Sequence, residues 1–197
     1  LAEDEGKFDM NAVADGICKK MIRRHPHVFG SVQAATTDQV LDNWETLKRA
    51  EKGQETDTDT LKAVARTLPA LWRAEKIQKK AAKSGFSWPD ISGAMDKLSE
   101  EQEELRTAVA EQSNIREELG DVLFAAVAVA RFAGIDPEEA LQEASDKYIS
   151  RFSAMEAQTA RQSRRFADMT LEELVQAWNR AKETQRNANV QEDKKHE

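Results

Sequence analysis

Glu117-Glu118-Leu119-Gly120-Asp121-Val122-Leu123-Phe124-Ala125-Ala126-Val127 sets two carboxylates, Glu118 and Asp121, at the head of a continuous apolar run. Residues three apart share one face of a helix, so the two acids form a pair. The same spacing occurs upstream in Glu100-Glu101-Gln102-Glu103-Glu104, where Glu101 and Glu104 form a second pair. Met95, Leu98, Leu105 and Val109 carry a helical apolar stripe through that segment. The stripe breaks near Gln112-Ser113 and resumes at Ile115. Helices joined by so short a break are expected to pack as an antiparallel hairpin, on which the four carboxylates converge. Asp121 abuts a segment that is apolar nearly all round and is therefore expected to be buried on most faces. A carboxylate rarely enters such a place without a partner.

Outward from this hairpin, nearly every segment reads as helix with a recognisable start. Asp9 can cap a helix carrying Val13, Ile17 and Met21, ending near His25-Pro26 because proline disfavours the α conformation before it. Thr36 with Gln39 resembles a capping box for a helix through Trp44 and Leu47, closed by Gly53. A further helix runs from Leu68-Pro69 through Trp72, Ile77 and Lys80 to Gly85. Ser87, with Pro89 and Asp90, is expected to start the helix that bears Glu101 and Glu104. The next helix covers about 115–132 and stops at Gly134. Asp136-Pro137-Glu138-Glu139 combines an N-cap, a proline at the first helical position and a reaching Glu. Thr170 with Glu173 starts the last helix, which holds Leu174 and Trp178. No segment alternates with the period of two that a half-buried strand needs. The fold expected is an all-α helical bundle.

Composition agrees: 40% hydrophobic residues but only 6% aromatic point to helices over sheet. The formal charge of −7 argues against a nucleic-acid partner, which wants a basic face. The run from Val122 to Ala130 is far short of the about 20 residues that span a bilayer, so no membrane role is expected. The single cysteine, Cys18, cannot form an internal disulfide, which suits a reducing cytoplasm.

A weak internal repeat is also present. Gly134-Ile135-Asp136, followed by a helix reaching Lys147 and Arg151, echoes Gly6-Lys7-Phe8-Asp9, followed by a helix reaching Lys20 and Arg24. The second copy follows the carboxylate hairpin, and the first is preceded by only five residues. The expectation is that the chain, which opens on Leu1, starts partway through a first module.

Four carboxylates held together repel and raise one another's proton affinity unless a cation sits among them. Hard oxygen donors of this kind suit Mg2+, with Mn2+ as an alternative. A di-iron site would want Glu-x-x-His on facing helices, and the histidines, His25, His27 and His196, lie elsewhere. Lys97 precedes Glu101 by four residues on the carboxylate face, and Lys147 and Arg151 lie four apart on a later helix. In an acidic chain, cations beside such a site look like phosphate ligands, although Lys147 and Arg151 also suit surface ion pairs. No GxxxxGK[ST] loop is present, so phosphates would be held by metal and side chains. Trp72, Phe86 and Trp88 are candidates for stacking on a base, or for the core.

Several stretches together resemble the MazG family of all-α nucleoside triphosphate pyrophosphohydrolases. They are Arg23-Arg24-His25-Pro26-His27-Val28-Phe29-Gly30, Asn43-Trp44-Glu45, Leu68-Pro69-Ala70-Leu71, Lys76-Ile77-Gln78-Lys79, Gly85-Phe86-Ser87-Trp88, Glu117-Glu118-Leu119-Gly120-Asp121-Val122-Leu123-Phe124, and Gly134-Ile135-Asp136-Pro137-Glu138-Glu139-Ala140-Leu141. The resemblance covers nearly the whole chain. It implies tandem helical modules, a homodimer, and hydrolysis of nucleoside triphosphates to monophosphate and pyrophosphate by water attack at the α-phosphorus. The family's metal ligands fall on Glu101, Glu104, Glu118 and Asp121. Its phosphate-side residues fall on Lys97, Lys147 and Arg151, with Lys48 and Trp178 as further contributors. Where a lysine is expected ahead of the second acidic pair, the chain has Asn114, with Arg116 two residues on. On this reading residues 1–52 are the remnant of a first module and 53–60 a linker. Residues 61–186 form the complete catalytic module, and 187–197 a disordered tail. Two other readings remain open: a non-catalytic helical module that binds a partner, and a same-fold pyrophosphohydrolase acting on a phosphoribosyl nucleotide.

Overall fold

The structure, a computed structural model, describes residues 8–30, 36–51, 53–162 and 164–193. Among these residues every regular element is helical, which is the all-α class expected. The chain divides into two compact units, Leu1–Thr67 with Lys76–Ser87, and Leu68–Glu75 with Trp88–Glu197.

In the first unit, α1 (Met10–Arg24) begins where expected, with the Ala12 amide donating to Asp9 Oδ1 at 2.7 Å. A short α2 (Pro26–Phe29) follows, and α3 (Thr37–Glu51) begins after Thr36, whose hydroxyl accepts from the Gln39 amide at 3.3 Å. Arg24 ties α1 to α3: its Nε and Nη2 donate to Glu51 Oε2 at 2.9 and 2.7 Å, and Arg23 adds an ion pair to the same carboxylate. The Arg24 bond in particular holds the Glu51 carboxyl below its usual range. Val13, Ile17 and Met21 of α1 are exposed. The polar stretch 53–60, expected to be a linker, is not featureless. It carries α4 (Asp57–Lys62), because Thr56 and Asp59 cap each other's backbone amides. The Gly6-Lys7 start of the sequence repeat lies outside the described residues.

Helix α5 (Ala70–Lys83) ends at Gly85, whose φ of +90° only glycine adopts readily. In the second unit, α6 (Ile91–Glu111) starts three residues later than expected. Asp90 is the cap, accepting from the Ser92 amide at 2.8 Å, so Pro89 stands before the helix rather than within it. Gln112 and Asn114, both at φ near +50°, turn the chain into α7 (Ile115–Ala133). That explains Asn114 locally, since asparagine tolerates the left-handed region better than most residues. Helices α6 and α7 pack along their length as the expected hairpin, with Ala94, Ala108, Ala125 and Val127 buried.

Gly134, at φ +69°, closes α7. Asp136 then caps α8 (Pro137–Arg161), accepting from the Glu138 and Glu139 amides and from the Trp72 indole at 2.8 Å. A single 3-10 turn, Phe166–Asp168, leads to α9 (Leu171–Asp193). The tail expected to be disordered from 187 is therefore helical to Asp193, and 194–197 lie outside the described residues. Met155, Ala177 and Ala181 form the core between α8 and α9, covered by Phe166, Met169, Leu174 and Trp178.

The α9 cap carries a pH dependence. Thr170 and Glu173 cap each other as expected, and Arg164 Nη1 and Nη2 donate to the two Glu173 oxygens at 2.8 and 2.9 Å. The Arg164 fork, then the Thr170 amide, hold the Glu173 carboxyl down to about 2 from an ordinary 4.5. A depressed folded-state value contributes stability that is complete above the unfolded value and is lost as pH falls through the folded one. The thermal midpoint should therefore decline between about pH 4.5 and 2 in part through this group. Glu173→Gln should flatten that section of the curve in a calorimetric pH series; an unchanged slope would exclude the assignment.

Candidate metal centre

Glu101 and Glu104 stand one turn apart on α6, and Glu118 lies in the first turn of α7. The hairpin brings one carboxylate oxygen from each within 4.8 Å of the others. Glu101 is buried, Glu118 half-buried and Glu104 exposed. Partial desolvation beside α7, then repulsion from Glu101, raises the Glu104 carboxyl above its usual range.

Lys97 compensates this charge within the chain. Its Nζ lies 2.7 Å from Glu101 and donates to Glu100 at 2.7 Å. Those two carboxylates, Glu100 first, raise the ammonium above its ordinary value and keep it charged. The contact with Glu101 follows the four-residue spacing read in sequence. Glu100 is not among the residues expected at the site, although its three-residue spacing to Lys97 signals the contact.

Asp121 departs from expectation. It is exposed and is not among the residues drawn within 4.8 Å of one another. The run that follows it is not covered either, with Leu123 50% and Phe124 43% exposed. The reason is that α7 packs chiefly on α6, and among its described residues only Ala125 and Val127 are fully buried. Leu119 and Leu123 share a stripe with buried Val127 but lie nearer the start of the helix, where they are left exposed.

The basic candidates separate. Lys147 is exposed on α8, and Arg151, one turn on, is half-buried with its Nε donating to Gln185 Oε1 of α9 at 2.8 Å. Gln185 carries no signal in sequence, being 34 residues from its partner. Trp178 packs into the α8–α9 core, its ring centroid 4.8 Å from that of Tyr148. Lys48 belongs to the other compact unit, with its Nζ over the Trp44 ring at 4.5 Å. Of the aromatic candidates, Trp72 is engaged by Asp136 and borders a cleft lined by Glu138, Glu139 and Glu143, a surface that repels phosphate. Phe86 is 83% exposed, and the Trp88 ring lies against Gly93, where an added Cβ would stand 3.0 Å from it.

Three carboxylates meeting at one point, one of them buried, are a donor set that fits a hard divalent cation. Among the described residues, no helix is long and apolar enough to cross a membrane.

The model of the MazG nucleotide pyrophosphohydrolase domain matches residues 1–29 and 91–155, the second segment spanning the carboxylate hairpin and most of α8. A nucleoside triphosphate pyrophosphohydrolase of Escherichia coli is 39% identical over 92% of this chain and 71% of its own length. One of Thermotoga maritima, named as a MazG nucleoside triphosphate pyrophosphohydrolase/pyrophosphatase, is 35% identical over 92% of this chain and 69% of its own. An uncharacterised Bacillus subtilis protein, YabN, is 47% identical over 94% of this chain and 38% of its own length. Similarity of this extent to proteins of which the chain spans more than two thirds, together with an all-α hairpin that gathers carboxylates from both helices, makes this chain a member of the MazG nucleotide pyrophosphohydrolase family.

Proposed function

We propose that this chain hydrolyses nucleoside triphosphates to nucleoside monophosphate and pyrophosphate, using a magnesium ion held by Glu101, Glu104 and Glu118. The carrying observation is the convergence of these three carboxylates, with Lys97 as the cation that balances them. Asp121 lies on the same face of α7 as Glu118, one turn on, and is the fourth ligand proposed. When bound, magnesium, or manganese in its place, supplies charge neutralisation on phosphate oxygens and acidifies water.

The side chains of the chain do the rest. Lys97, Lys147 and Arg151 neutralise the triphosphate and the pyrophosphate that leaves. Glu101 is ion-paired to Lys97, so Glu104 is the better placed of the two to accept the proton of the water that attacks the α-phosphorus. Lys48 and Trp178 remain proposed substrate contacts on the resemblance. The two separate segments that match the domain model, residues 1–29 and 91–155, support tandem modules; residues 1–52 and 61–186 are the bounds proposed for them. The exposed apolar side of α7 supports a homodimer. The cytoplasm is the compartment we propose, on the single cysteine; recovery of the protein from an extracellular fraction would exclude it.

Phosphorus NMR of a nucleoside triphosphate mixture with this chain and magnesium tests the reaction. The expected products are monophosphate and pyrophosphate, formed with magnesium and abolished by chelation. Single orthophosphate would mean a different bond is cut. No turnover from this chain or a longer one would favour the partner-binding module, and preference for a phosphoribosyl nucleotide in competition would favour that substrate.

A further inference from the structure

We propose that Gln185 is a positioning residue for Arg151, fixing the guanidinium plane so that its two terminal nitrogens face an incoming phosphate. The proposal rests on Arg151 being a phosphate ligand. Arg151 is half-buried on α8, and its Nε donates to the half-buried Gln185 Oε1 at 2.8 Å across to α9. The two helices are already clamped nearby: Trp178, seven residues before Gln185 on the same α9 face, packs on Tyr148, three residues before Arg151. The contact is therefore anchored in packed structure rather than made by two free side chains.

A guanidinium carries five N–H donors in one plane. Holding Nε fixes that plane and leaves the Nη1 and Nη2 edge for an anion. Neither terminal nitrogen of Arg151 has a hydrogen-bond partner among the described residues.

The chemistry of the acceptor distinguishes this arginine from others in the chain. Arg24 is gripped by Glu51, Arg164 by Glu173 and Arg165 by Asp168. Each of those pairs cancels the positive charge and spends at least one terminal nitrogen on the carboxylate. Arg151 meets a neutral amide instead. An amide oxygen orients the guanidinium without neutralising it, so its full charge stays available to phosphate. A simple tie between α8 and α9 would be at least as strong with glutamate at this position.

That difference supplies the test. Binding of inorganic pyrophosphate with magnesium is measured by calorimetry, beside thermal midpoints and steady-state kinetics, for wild type, Gln185→Glu, Gln185→Leu and Arg151→Ala. Gln185→Glu should keep or raise the thermal midpoint, because the bond to Arg151 becomes charge-assisted. It should also weaken pyrophosphate binding roughly tenfold and raise KM in parallel, with kcat changed by less than about threefold. Gln185→Leu should weaken binding too, by freeing the guanidinium. If Gln185→Glu binds pyrophosphate as well as wild type while Arg151→Ala loses it, Arg151 remains a phosphate ligand and the positioning role is overturned. If Arg151→Ala binds normally, or wild type does not bind pyrophosphate, the phosphate reading of Arg151 falls and this proposal falls with it.

Discussion

Glu118→Gln should lower magnesium-dependent turnover by roughly 10²–10³-fold, the loss usual for one well-placed electrostatic group in a site. Glu118 is the donor that α7 contributes to the three converged carboxylates, so the change leaves Asp121 as the one proposed ligand from that helix. Gln is nearly isosteric and lies on a half-buried face, so the helix itself should survive. Stability gives an independent reading with a distinctive sign. Without metal, the variant should be no less stable than wild type, because one of several mutually repelling carboxylates is gone. With magnesium, wild type should gain stability by mass action, roughly 2.7 kcal/mol at a hundred times Kd, and the variant should gain far less. A variant that turns over within a few-fold of wild type, with its magnesium stabilisation intact, would remove Glu118 from the metal centre.

The second large effect is on assembly. Ile115, Leu119 and Leu123 recur every four residues along α7 and are 40%, 47% and 50% exposed. A stripe of this kind is a helix face awaiting a layer, and burying a leucine is worth roughly 1.5–3 kcal/mol. A second copy is the layer the family resemblance implies. Wild type should sediment as two chains and Leu123→Asp as one, because a buried unpaired carboxylate costs several kcal/mol. The single chain should keep its helicity, since the same substitution at a half-exposed site within a monomer is close to neutral, about ±0.5 kcal/mol. A wild type that sediments as one chain would refute the dimer directly. A Leu123→Asp dimer would place the contact on another face.

The helices were legible because their ends are written in local chemistry. Asp9, Asp136 and the Thr170–Glu173 pair cap the helices they were expected to cap, since capping needs only residues within one turn. The meeting of Glu101, Glu104 and Glu118 was legible for the same reason, extended by one step: three-residue spacing sets the faces, and a short loop sets the hairpin. The errors arose where two local signals competed. Asp90 outbid Ser87 as the α6 cap, and Thr56 with Asp59 nucleated α4 inside a stretch read only by its polarity.

By itself, then, the sequence determined the helix class, most helix limits, the carboxylate pairing and the Lys97–Glu101 contact, all of which follow from spacings of three and four residues. Tertiary structure alone decided that Asp121 stands exposed, that Leu119 and Leu123 lack cover, and that Arg151 meets Gln185. Hydrophobic periodicity names the faces of a helix that could be buried. Which of them is covered depends on what packs there, and a bond spanning 34 residues depends on how α8 and α9 cross, which no local spacing encodes.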